Sequence, residues 1–60
     1  MPISGKEMVR LYERAGWVKI RQKGSHVRMK KNGKLETIPL HKELKKGTEA
    51  DLLKRLMEED

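Results

Sequence analysis

Apolar residues along the chain change period twice, from helical to alternating and back to helical. Met8, Leu11, Tyr12 and Ala15 stand at i, i+3, i+4 and i+7, the stripe of one helix face. Ser4 with Glu7 three residues on forms a capping box, and Ile3 with Met8 occupies the two positions of a hydrophobic staple. Gly16 fits the left-handed residue that closes a helix. The pattern predicts a helix over residues 5–15.

Alternation then takes over. In residues 17–22, Val18 and Ile20 turn one way, and Trp17, Lys19 and Arg21 the other. In residues 26–31, Val27 and Met29 share a face opposite His26, Arg28 and Lys30. Asn32-Gly33 is a strong hairpin signal because both positions accept positive φ. A third strand over 34–40 contributes Ile38 and Leu40. Its Pro39 cannot donate a ladder hydrogen bond, which places the strand at an edge. Helical spacing returns with Leu52, Leu53, Leu56 and Met57. Thr48, three residues before Asp51, is the expected N-cap of a second helix over 49–58. The acids Glu58, Glu59 and Asp60 oppose the dipole at its far end, where fraying is expected.

The order is α-β-β-β-α: an α+β fold with a three-stranded antiparallel sheet and both helices on one face. Packing Val18 and Ile20 with Val27 and Met29 sets the expected register. A four-residue loop from Gln22 to Ser25 pairs Ile20 with Val27 and Val18 with Met29 inside. Outside, it sets Arg21 against His26, Lys19 against Arg28 and Trp17 against Lys30. A two-residue Gly24-Ser25 turn changes the partners but keeps the faces. Across the second hairpin, Val27 meets Ile38, and Glu36 falls beside Met29 as a misfit.

Size and composition narrow the class. Sixty residues make one domain, residues 1–60, with a thin core: 35% of residues are hydrophobic and 40% charged. There is no cysteine, which excludes disulfides, thiolate catalysis and Cys-based metal sites. No carboxylate cluster suggests a metal, and no cofactor is expected. No apolar run approaches the roughly 20 residues of a membrane span, and no signal-peptide pattern is present, so a soluble cytoplasmic protein is expected.

The charge is concentrated. Residues 17–34 hold Lys19, Arg21, Lys23, Arg28, Lys30, Lys31 and Lys34 with no acid, a local +7 in a chain of net +6. Such a field draws polyanions and speeds their arrival. Like charges directly opposed destabilise a sheet, a cost more readily borne where a polyanion fills the gap. With only Trp17 and Tyr12 as aromatics, base stacking on a ring platform is not expected; both read as core.

His26 stands among these cations after Gly24-Ser25. An imidazole titrates near neutrality and can take and return a proton. Beside lysine and arginine, which stabilise charge at phosphorus, it suits proton transfer at an RNA 2′-hydroxyl. A solvent-exposed strand histidine with no role is the simpler alternative. His41 is either structural at the end of the third strand or a second proton-transfer group, the structural role being favoured. Two histidines alone do not make a metal site.

Four elements together resemble a known family: Gly16-Trp17 at the end of helix one, Gln22-Lys23-Gly24-Ser25-His26, Ile38-Pro39-Leu40-His41, and Lys45-Lys46-Gly47-Thr48. In this order they are similar to the HicA, or YcfA-like, toxins of HicAB toxin–antitoxin systems, from about Ser4 to Met57. The resemblance implies a double-stranded-RNA-binding-domain-like fold and an mRNA interferase, a ribonuclease that cleaves mRNA. It implies a HicB-type antitoxin that blocks the site, and puts the essential histidine at His26. With it, Lys19, Arg21, Lys23, Ser25, Arg28 and Lys30 are the expected RNA-binding residues, around a metal-independent reaction.

Two other classes compete. A non-catalytic RNA binder on the same fold would place a basic cluster on the first turn of helix two. Lys45 and Lys46 precede that predicted turn, which Glu49 and Asp51 occupy. A protein-interaction module would use the basic face for an acidic partner. Salt-dependent RNA binding separates the third class from the other two, and RNA cleavage separates the first from the second.

Overall fold

A computed structural model describes residues 3–58. Ser4 caps α1 (Gly5–Arg14) with the full capping box, its Oγ accepting from the Glu7 amide at 3.1 Å. The helix ends in a Schellman motif. Gly16 lies at φ 99°, its N–H reaches the Glu13 carbonyl at 3.1 Å, and the Trp17 N–H reaches the Tyr12 carbonyl at 2.9 Å. The Lys31 ammonium donates to the Ala15 carbonyl at 2.7 Å, satisfying a further terminal acceptor.

Three strands follow, β1 (Val18–Lys23), β2 (His26–Lys31) and β3 (Lys34–Pro39), paired antiparallel in the order β1-β2-β3. Pro39 is thus on an edge strand, as expected. Both turns have two residues. Gly24 at φ 58° opens the first, and Asn32 at 49° with Gly33 at 79° gives the second the type I′ signature. Gly33→Val would put a β-branched side chain at that positive φ. The expected loss is about 1–3 kcal/mol, read from a thermal or urea melt; an unchanged midpoint would refute the strain.

The register corrects the expected faces of β1. Val18 pairs with Lys30 and Lys19 with Met29, but Arg21 pairs with Arg28, Gln22 with Val27 and Lys23 with His26, leaving a bulge at Ile20. Trp17 is therefore buried, at 4% exposure, while Val18 and Ile20 are exposed at 61% and 51%. Lys19 and Gln22 take the inner-face positions instead. The Schellman motif explains this reversal. An apolar contact between the second residue past the cap and the last helical turn frequently accompanies it. Trp17 and Tyr12 make this contact, with ring centroids 4.9 Å apart. Once Trp17 points inward, Val18 must point out, and the bulge turns Ile20 and Arg21 outward together.

The core comprises Met8, Tyr12, Trp17, Val27, Met29, Ile38, Leu44 and Leu52. α2 (Lys46–Met57) lies on the same sheet face as α1, joined to it by the Tyr12 hydroxyl donating to the Leu52 carbonyl at 2.7 Å. Burial raises the Tyr12 pKa to about 12, with Glu36 adding to the effect. Glu36 does pair with Met29 on the inner face, and the misfit is resolved by Arg55, whose Nε meets its carboxylate at 2.9 Å. α2 starts before the predicted Thr48: Lys45 is the N-cap, without a side-chain cap bond. Leu44 anchors that start, buried with its amide on the Ile3 carbonyl at 2.9 Å. Leu11 and Met57, expected in the apolar stripes, are exposed at 37% and 79%. Glu59 and Asp60, expected to fray, lie outside the described residues.

Candidate active site

The outer face of the sheet is bare of helices, and its side chains fall into cross-strand rows. Lys23, His26 and Pro39 form the first row, Arg21, Arg28 and Thr37 the second, and Val18, Lys30 and Leu35 the third. The bulged Ile20 sits between the second and third. A shallow groove of about 830 Å³ runs across this face. His26, Arg21, Lys23, Ser25 and Arg28 all line it, together with Ile20, Leu35 and Thr37.

Each of these side chains is positioned by backbone. The Gly24 turn reverses the chain so that Ser25 and His26 follow at once. The Ser25 carbonyl accepts the Leu40 N–H at 2.6 Å, tying this turn to the end of β3. The Gln22 side-chain amide donates to the Gly24 carbonyl at 3.1 Å and braces the same turn from the inner side. Strand pairing then fixes Arg21 opposite Arg28, with Cβ atoms about 5 Å apart. Like charges so placed repel. Neither they nor Lys23 and Lys30 form an ion pair with any described residue.

The sequence-based set does not all converge. Arg21, Lys23, Ser25, His26 and Arg28 share the groove. Lys30 is on the same face one row beyond. Lys19 is not on that face: it lies opposite Met29, facing the helices, with its ammonium 3.5 Å from the Gln22 side-chain oxygen. It borders a separate crevice beside α1, with Lys6 and Arg10. His41 does not line the groove, and its backbone carbonyl accepts the Gly5 N–H at 2.9 Å. Ile20, Leu35 and Thr37 were not expected in the site. The Gly16-Trp17 pair held the signal for Ile20, because a helix closing on Trp17 inverts the strand that follows.

Among the described residues, no three His, Cys, Asp or Glu side chains come together, and no helix is long and apolar enough to cross a membrane.

The family model for the HicA toxin of bacterial toxin–antitoxin systems matches residues 5–56. The chain belongs to the HicA toxin family. A chain of a solved toxin–antitoxin complex from Streptococcus pneumoniae is 47% identical and superposes on this toxin with a TM-score of 0.76. The match covers 92% of the toxin and 97% of that chain. Among curated proteins none matches significantly. The Gly-Ser-His turn, the groove and both helices of the toxin lie almost wholly within the family match.

Proposed function

We propose that this toxin is a ribonuclease that cleaves single-stranded RNA on the outer face of its sheet and is neutralised by a HicB-type antitoxin. The observation that carries the reading is His26 in one groove with Arg21, Lys23 and Arg28, cations that no described acid neutralises. A phosphodiester laid across the second row would separate Arg21 from Arg28 and relieve their repulsion. His26, one row away, then takes the proton of the 2′-hydroxyl. The 2′-oxygen attacks the adjacent phosphorus and the bond to the 5′-oxygen breaks. That oxygen takes a proton from solvent, and the imidazolium later releases its own. The products are a 2′,3′-cyclic phosphate and a 5′-hydroxyl. Arginine and lysine stabilise the charge that builds on the phosphorus oxygens, so the step needs no metal. Ser25 donates a hydrogen bond at the groove's end, and Lys30 extends the phosphate track. Lys19 has no part in this groove.

The test is incubation of the purified toxin with single-stranded RNA, with and without EDTA, and analysis of the new ends. Cleavage to 5′-hydroxyl ends in both conditions is expected. No cleavage would sink the ribonuclease reading, and 5′-phosphate ends would sink the mechanism.

A second reading, a non-catalytic duplex binder, has one observation in its favour. α2 begins at Lys46, so Lys45 and Lys46 cap and open the helix instead of preceding it. Binding of duplex without cleavage of any RNA is its signature.

The antitoxin reading rests on the family and on the charged face, which a complementary acidic surface would cover. Arg21→Glu with Arg28→Glu is expected to slow association and flatten its salt dependence, measured by stopped-flow or surface binding. If rate and salt slope are both unchanged, the antitoxin docks elsewhere.

A further inference from the structure

We propose that Ile20 and Leu35 form a nucleobase subsite, where one unstacked base of a single-stranded RNA lies while its backbone follows the cations; the proposal rests on the ribonuclease reading and names what its groove selects. Among the described residues, Val18, Ile20 and Leu35 are large apolar side chains about half exposed on a single face, at 61%, 51% and 46%. In a chain this small, apolar area is scarce, and each such group left in water forgoes stabilisation. Yet β1 sets Lys19 and Gln22 toward the helices and Val18 and Ile20 toward solvent. Trp17 closing on Tyr12 sets this exchange, and the bulge then keeps Arg21 on the same face as Ile20; bulges commonly re-aim a side chain beside a functional site.

The resulting surface has two chemistries side by side. Ile20 and Leu35 line the groove on one flank, and Arg21, Lys23 and Arg28 line it on the other. A nucleotide divides the same way, into a flat apolar face and an anionic linkage. Thr37, at the β3 end of the Arg21–Arg28 row, offers a hydroxyl to a base edge. A duplex cannot use this floor, because its bases stay stacked inside. A single strand can splay one base onto aliphatic side chains, as flipped bases do against apolar walls. Without ring stacking the site contributes selectivity for unpaired strands more than for any one base.

The experiment measures binding of three probes by the native toxin and by Ile20→Thr/Leu35→Thr, which keeps residues suited to strands. The probes are a 2′-O-methyl single strand that cannot be cleaved, an abasic strand of equal charge, and the duplex. The native toxin is expected to bind the base-bearing strand about 4-fold or more above the other two, the scale of one buried methylene or more. The double variant is expected to lose that preference and bind all three as the native toxin binds the abasic strand. Its thermal midpoint checks that it is folded; if it is not, Leu35→Thr alone, at an edge-strand position, gives the same comparison. Equal native affinity for base-bearing and abasic strands overturns the subsite, and so does a folded variant that keeps the preference. A variant that keeps the preference but fails to bind the antitoxin assigns the apolar flank to the protein partner, which also overturns it. Preference without cleavage by the native toxin leaves the subsite standing and removes the ribonuclease reading; cleavage without preference does the reverse.

Discussion

His26→Ala is expected to abolish RNA cleavage while leaving the toxin folded. The side chain is exposed on the outer face, paired across the sheet with Lys23 and Pro39. It is exposed and does not belong to the core cluster, so the melting midpoint should move little. General acid–base catalysis contributes about 10²–10⁴-fold, and the loss should reach that range. Affinity for RNA should change far less, because on the proposed reading phosphate contacts by Arg21, Lys23 and Arg28 would dominate it. His41→Ala is the control. Its structural contact is a backbone carbonyl, which alanine retains, so both folding and cleavage should persist. A folded His26→Ala toxin that cleaves at the native rate would remove His26 from the mechanism. Inactivity of a folded His41→Ala toxin alone would make the two histidines exchange roles.

Gly5→Ala is expected to be the most damaging small change in the fold. Within a helix, alanine normally stabilises relative to glycine by about 1 kcal/mol. Here the sign reverses. A Cβ at Gly5 would collide with the Pro39 carbonyl oxygen and come within 2.7 Å of the Leu40 Cα. Both obstacles are backbone, and neither can rotate away. The Gly5 amide is also bonded to the His41 carbonyl at 2.9 Å, so α1 cannot retreat without breaking that bond. Overpacking of this kind costs about 1–3 kcal/mol or more, which outweighs the helical gain. A domain of this size has about 3–9 kcal/mol in total. The measurement is a urea denaturation midpoint, and a midpoint equal to or above the native one would show that the junction can open. The same junction carries the turn beside His26, through the Ser25 carbonyl and the Leu40 amide. Cleavage should therefore fall as α1 and β3 separate.

Local signals along the chain were enough for the elements nearest to them. Ser4 and Glu7 specify the start of α1 because a cap is an interaction between residues three apart. Asn32-Gly33 specifies its hairpin because positive φ is a property of those two residues. The Gly-Ser turn leading into His26, and the cations flanking it, were legible for the same reason. The start of α2 was not. Lys45 opens it with no side-chain cap, because Leu44 is held down by the core and by the distant Ile3 carbonyl.

The faces of β1 were not settled by alternation. Alternation states that neighbours point opposite ways, but not which set points inward. Val18 and Ile20 make one consistent answer and Trp17 another. The choice fell to Trp17 because the end of α1 closes on Tyr12, and a bulge then absorbed the change of phase. That decision moved Lys19 behind the sheet, set Arg21 against Arg28, and brought Ile20 into the groove with Leu35 from the far edge. Glu36 illustrates the same dependence: on its strand it is a charge in an apolar row, and only Arg55, nineteen residues further on, makes it stable there. The residue types needed for a phosphate-binding face are readable in the chain. Which of them meet depends on contacts between α1, α2 and the sheet, which no local period encodes.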